Sequence, residues 1–65
     1  AAVRAALAEL PAHQREVILL YFYEAMPQRA IAAALGIPVG TVKSRLSLGV
    51  ARLRERMRRY DEERG

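Results

Sequence analysis

Three prolines divide the chain into four segments, and each segment has the spacing of an amphipathic helix rather than the alternation of a strand. Pro11, Pro27 and Pro38 each suit the first turn of a helix, where the backbone N–H would have no partner. Each proline also disfavours helical backbone in the residue before it. We therefore predict an all-α chain, folded as a compact four-helix domain.

The four predicted helices cover residues 2–10, 11–24, 28–35 and 38–59, the second and fourth ending near those positions. The side chains expected to face the core are Val3, Ala6, Leu7 and Leu10 in the first helix, Val17, Ile18, Leu20, Tyr21 and Phe22 in the second, and Val42, Leu46, Val50, Leu53 and Met57 in the fourth.

The end of the last helix carries acidic residues, which suit a helix C-terminus poorly. We therefore expect fraying from about Tyr60. The pairs Arg58–Glu62 and Arg59–Glu63 have i,i+4 spacing and are expected to soften that fraying.

Size and composition argue against catalysis. A chain of 65 residues forms at most one domain and has too little interior for a deep cleft. It contains no Cys, and its single histidine, His13, is expected to be a partly exposed helix residue. No apolar run approaches the roughly 18 residues of a membrane span. We predict no enzymatic activity, no catalytic residue, no metal site, no cofactor and no membrane partner.

Positive charge is concentrated in one part of the chain. Residues 38–59 contain seven basic residues and one acidic residue, whereas residues 1–37 sum to zero and residues 60–65 to −2. Such a block predicts a polyanionic partner, with a solvated helix face as the alternative.

The third and fourth segments have the spacing of a helix-turn-helix at about residues 28–48. An ordinary αα-hairpin is the alternative. The supporting positions are an apolar clamp, a small residue where the helices cross and a glycine in the turn: Ile31, Leu35, Ile37, Val42, Leu46, Ala32 and Gly36.

In a helix-turn-helix the second helix enters the DNA major groove with its N-terminal end toward the bases. The outward residues predicted to face the bases are Val39, Gly40, Lys43, Ser44 and Ser47. A lysine can donate to a guanine edge or to a phosphate, and serine can contact any base.

Phosphate contacts are expected on the flanks of this helix and at the start of the helix before it. Thr41 can bind a phosphate or cap the helix locally, and Arg45 and Arg52 suit backbone phosphates. The N-terminus at Gln28 can present N–H groups to another phosphate, with Arg29 beside it.

Residues 10–57 resemble region 4 of the extracytoplasmic-function group of bacterial sigma-70 factors. The most specific parts are "LPAHQREV" at 10–17, "IAAALGIPVGTVKSRL" at 31–46 and "ARLR" at 51–54. The resemblance implies a domain with a long C-terminal recognition helix that binds the promoter −35 element and docks on the β-flap of RNA polymerase core. It also implies an anti-sigma partner, a cytoplasmic, nucleoid-associated location, and a preceding region 2 that reads the −10 element. Because the chain begins without Met, we expect it to be a fragment of such a factor, with residues 1–65 forming region 4.

The family's base-facing positions fall on Lys43, Ser44, Ser47 and Leu48. The family usually has a bulky residue and then Arg where this chain has "SL", and Ala-Arg where it has "GV". Leu48 therefore has three interpretations: contact with a thymine methyl, contact with a protein such as an anti-sigma factor, or an isolated exposed apolar residue.

A second departure is Pro27, which stands where the family usually has a Ser or Thr cap. The expected function is sequence-specific −35 binding in transcription initiation. The alternatives are the DNA-binding output domain of a response regulator, which shares "TVK", and a sigma-like mimic that captures an anti-sigma protein.

Overall fold

The computed structural model describes the backbone of residues 2–64 and the side chains of residues 3–62. It contains four α-helices: α1 (Ala2–Ala8), α2 (Ala12–Ile18), α3 (Gln28–Leu35) and α4 (Val39–Arg64). A π-helical segment, Leu19–Tyr23, continues α2. Residues 2–64 contain no strand, so the predicted all-α, four-helix fold is confirmed.

The prolines begin the helices as their positions predicted. Pro11 and Pro27 have extended backbone (ψ 143° and 154°) and stand immediately before α2 and α3. The carbonyl of each proline accepts a hydrogen bond from the new helix, for example from the N–H of Arg15 and of Ile31. The Arg15 guanidinium also links α2 to the turn that follows α1, because it donates to the carbonyls of Ala8 (3.4 Å) and Leu10 (3.3 Å).

Helix α4 is the spine of the fold, because α1, α2 and α3 all pack against it. At about 1.5 Å per residue, its 26 residues span roughly 39 Å. The longest dimension of the molecule is 41 Å, so α4 sets the length of the domain. The buried core consists of Ala6, Leu7, Leu10, Val17, Ile18, Ile31, Ala32, Val42 and Leu46.

Part of the predicted core is exposed. Val3 is 39% exposed, and Tyr21 and Phe22 also lie at the surface, so their assignment to the core was wrong. In the π-helical segment the N–H of Glu24 donates to Leu19 O, five residues back. The wider turn changes the phase of the helix, and the aromatic side chains of this segment point away from the core.

The predicted end of α4 near Arg59 was also wrong, because the helix continues through Tyr60, where fraying was expected to begin, to Arg64. The Tyr60 hydroxyl donates to Glu9 Oε2 at 2.6 Å, and Arg56 Nη1 lies 3.3 Å from Glu9 Oε1. One carboxylate thus ties the distal part of α4 to the turn after α1.

Two ion pairs were expected near this end of α4, and the structure describes both side chains of one of them, Arg58–Glu62. Arg58 pairs with Glu55 at 2.6 Å rather than with Glu62. The pair Arg59–Glu63 lies outside the described side chains.

Gly49 of α4 is buried against α2. A Cβ at this position would lie 2.7 Å from Ile18 Cδ1 and 3.3 Å from Gln14 Cβ. The glycine of the "GV" departure thus lies at a close helix crossing, where a larger residue requires the Ile18 side chain to move.

We expect Gly49→Ala to destabilise the fold by about 1 kcal/mol. Adding a methyl group to a well-packed contact costs about 1–3 kcal/mol of folding free energy. The higher helix propensity of Ala relative to Gly offsets about 1 kcal/mol of that cost. Denaturant unfolding measures the change. Gly40→Ala is the matched control, because nothing lies within 4 Å of its Cβ and propensity alone should make this variant more stable. Equal stabilisation by both substitutions would contradict the close approach.

We expect Tyr60→Phe to lower the free energy of unfolding by up to about 1 kcal/mol, the usual net contribution of one hydrogen bond. Backbone amides at the end of α4 should also exchange with solvent faster. Glu9→Ala removes the same hydrogen bond together with the Arg56 ion pair, so it should cost at least as much, and the double variant should lose less than the sum because both changes break the Tyr60–Glu9 contact. Additive losses would show that the two residues act independently.

Candidate nucleic-acid interface

The turn between α3 and α4 occupies three residues, and its backbone fixes the angle between the helices. Gly36 ends α3 in the left-handed conformation (φ 68°, ψ 36°), which glycine adopts without steric cost. The N–H groups of Gly36 and Ile37 both donate to Ala32 O. The carbonyl of Pro38 then accepts the first bonds of α4. The predicted helix-turn-helix is confirmed by this geometry.

The two helices are clamped by their small and branched side chains. Ile31 and Val42 are fully buried, and Ala32 and Leu46 are nearly so. Leu35 and Ile37 pack against the same core from its edge. This clamp packs the first turns of α4 against α3 and determines which side chains face outward.

All six residues predicted to face bases are exposed on one side of α4. We call this surface the reading face: Val39, Gly40, Lys43, Ser44, Ser47 and Leu48. They occur as adjacent pairs four residues apart, the spacing of one helix face. Val42 and Leu46, between these pairs, and Gly49, directly after the last, are buried, so the reading face lies opposite the core.

The residues predicted to bind phosphate border this face. Thr41 and Arg45 are half-buried and Arg52 is exposed. With Leu48 they follow i, i+4, i+7 and i+11 spacing, which places them in one stripe along α4. We call this stripe the basic flank: Thr41, Arg45, Leu48 and Arg52. Leu48 thus belongs to both the reading face and the basic flank.

The start of α3 lies beside the other border of the reading face. Gln28 is half-buried and Arg29 is exposed. Pro27 supplies no side-chain cap to α3, as its departure from the family pattern predicted. Gln28, Ser47 and Arg54 line one shallow hollow together with Tyr21 and Phe22.

Arg54 was missed as a candidate DNA-binding residue. Its spacing of seven from Ser47, two helical turns along the same side, was the available signal. Within the described side chains, the ion pairs of α4 involve Arg56 and Arg58 only. The charges of Lys43 and Arg54 beside the reading face are therefore not neutralised by a described carboxylate.

A second exposed surface is apolar and was not anticipated. Phe22 is 60% exposed and Tyr23 is 71% exposed. They border a groove between α1, the π-helical segment and the distal half of α4. We call it the aromatic groove; its apolar lining is Val3, Leu7, Ile18, Phe22, Tyr23, Val50, Leu53 and Met57.

The described residues contain no group of three or more side chains suited to holding a metal ion. His13 is exposed on α2. In the part of the chain that the structure describes, no helix is both long enough and apolar enough to cross a membrane.

The fold and its exposed basic helix define a helix-turn-helix domain. Residues 1–53 match the family described as "Sigma-70, region 4", and the chain belongs to that family. The expectation drawn from the sequence motifs is confirmed.

Curated relatives agree with this assignment. The chain is 44% identical over 52 residues to the ECF RNA polymerase sigma factor RpoE of Cereibacter sphaeroides, covering 80% of this chain and 29% of that protein. It is 45% identical over 56 residues to the RNA polymerase sigma-E factor of Streptomyces antibioticus (86% and 31%). It is 50% identical over 44 residues to that of Streptomyces coelicolor (68% and 25%). The chain therefore spans less than a third of the length of these relatives.

Proposed function

We propose that residues 1–65 form the domain of an RNA polymerase sigma factor that binds the promoter −35 element as double-stranded DNA, without catalysing a reaction. The observation that carries this proposal is the reading face: six exposed positions that begin directly after the turn, bordered by cations. Family membership and the names of the relatives support the role in transcription initiation. The parent would act on the nucleoid in the cytoplasm and carry a separate region for the −10 element.

The proposed mechanism inserts the first turns of α4 into the major groove. Lys43 donates to a guanine edge, and Ser44 and Ser47 contact neighbouring bases. A bidentate base contact contributes about 1–3 kcal/mol of discrimination, but Lys and Ser lack the rigid fork of Arg. Base selection by these three side chains is therefore modest.

Phosphates position the domain on both sides of the groove. Thr41, Arg45 and Arg52 bind one strand from the basic flank. On the other side, Gln28 and Arg29 present the N-terminus of α3 to the opposite strand, where backbone N–H groups favour an anion. Arg54, which lines the same hollow as Gln28, adds a further contact there.

We expect duplex binding to fall steeply with salt, and Arg52→Ala to reduce the slope of log K against log salt by about 0.9, the value for one phosphate. Lys43→Ala should instead change the preference among −35 variants. Fluorescence anisotropy over a salt series measures both. Arg58→Ala is the control, since Arg58 already pairs with Glu55. Binding that does not depend on salt would refute the electrostatic part of the proposal.

The aromatic groove is proposed as the docking surface for RNA polymerase core, through its β-flap. Two aromatic side chains more than half exposed beside an apolar groove are typical of a protein interface. The π-helical segment that displays them is also a feature frequent at functional sites. An anti-sigma protein that covered this groove would block polymerase binding.

We expect Phe22→Ala to weaken binding to bacterial core RNA polymerase by at least about tenfold, because burying a Phe side chain contributes about 1.5–3 kcal/mol. Tyr23→Ala should weaken polymerase binding and leave duplex DNA binding unchanged, because Tyr23 lines the groove but not the hollow that contains Gln28 and Ser47. Leu48→Ala is the control for polymerase binding, since Leu48 is outside the groove lining. If Phe22→Ala bound polymerase as tightly as wild type, the groove would not be the docking surface.

The alternative functions differ in what they bind. A response-regulator output domain is disfavoured by the family match over residues 1–53. A sigma-like mimic would capture an anti-sigma protein and never shift promoter DNA, which the anisotropy measurement tests directly.

A further inference from the structure

We propose that Leu48 contacts the C5-methyl group of a thymine in the bound DNA, so that one thymine in the recognised element determines affinity. This inference rests on the proposed duplex binding and adds a specificity that Lys43, Ser44 and Ser47 do not supply.

Leu48 is the most exposed of the large aliphatic side chains at the described surface, with 56% of its area accessible. It follows Ser44 by four residues and Arg45 by three, and it precedes Arg52 by four. Those spacings place it one turn from each of them on the same side of α4. An apolar side chain thus stands among the polar and cationic groups that meet DNA.

The neighbours of Leu48 favour DNA over a protein as its partner. Arg45 and Arg52 flank it along the basic flank, and the described ion pairs involve neither. A protein that buried Leu48 would also have to desolvate these two charges, whereas a DNA strand supplies a phosphate to each. The aromatic groove, where apolar protein contact is expected, does not include Leu48.

The chemistry of leucine selects thymine among the bases. In the major groove, guanine, adenine and cytosine present hydrogen-bonding atoms, and thymine also presents a methyl group. Leucine cannot donate or accept a hydrogen bond, so it would leave the polar edge of another base dehydrated and unpaired. Against the thymine methyl it removes apolar surface from water on both sides.

Val39 is the other aliphatic residue of the reading face, and it is exposed in the first turn of α4. It lies nine residues before Leu48, about 13.5 Å along the helix axis. A contact made by Val39 would therefore fall on a different base from one made by Leu48. This separation makes Val39 a matched control.

The experiment uses the 65-residue chain and a duplex that it selects from a random pool. Each thymine of that duplex is replaced in turn by deoxyuridine, which removes only the methyl group. We expect one replacement to weaken wild-type binding about fourfold, the effect of one methyl-sized group buried. Leu48→Ala should bind the thymine and uracil duplexes equally, while Leu48→Met and Val39→Ala should retain the loss at that position.

Several outcomes would overturn the inference. They are a selected element without a preferred thymine, wild-type binding that is indifferent to uracil everywhere, and a Leu48→Ala variant that keeps the uracil effect. Weaker capture of core polymerase by Leu48→Ala, with DNA binding intact, would assign Leu48 to a protein contact instead. If duplex binding persists with its salt dependence, only the thymine contact fails; loss of all salt-dependent binding refutes the proposed function as well.

Discussion

The packing of α4 against the other three helices is the interaction on which the rest of the structure depends. One side of this helix supplies Val42 and Leu46 to the core, and Gly49 allows α2 to approach within van der Waals contact. The opposite side of the same turns carries the reading face. Because a helix is rigid over three turns, burying one side fixes the direction of every side chain on the other. Core packing and the proposed DNA contact therefore depend on opposite sides of the same turns of α4.

The parts of the fold that could be predicted from the sequence are those specified by neighbours in the chain. Pro27 and Pro38 begin α3 and α4, and Gly36 forms the left-handed cap between them. The outward positions of α4 followed from helical period alone, since the clamp around Val42 identifies the inward side. The role of each outward residue is a different matter. The helical period predicts that Leu48 is exposed. Which molecule Leu48 contacts depends on groups outside the chain.

The parts that could not be predicted depend on non-local contacts or on unusual backbone. An apolar pattern from Val17 to Phe22 is compatible with a regular buried helix, and nothing in it signals the five-residue hydrogen bond to Leu19 that turns Phe22 outward. The hydrogen bond between Tyr60 and Glu9 joins residues 51 apart in sequence. The local sequence at the acidic end of α4 does not reveal this contact, so the helix was predicted to end too early. The aromatic groove was missed for the same reason, because it exists only once α1 and α4 lie side by side.

The two exposed surfaces explain why modest base recognition is sufficient for the proposed function. Under the proposed function, a domain docked through the aromatic groove to a polymerase that already holds the promoter elsewhere meets its element at a raised effective concentration, on the order of millimolar for a short flexible tether. Weak contacts from Lys43, Ser44 and Ser47 are then enough for the domain to occupy its DNA element. Discrimination among DNA sequences can depend on the small free energy of one apolar contact. Replacing a cation by Leu48 lowers attraction to every DNA sequence, whereas a methyl contact favours only some of them. In a tethered domain the loss of sequence-independent affinity matters little. The ratio of the affinity for the recognised element to the affinity for other sequences increases.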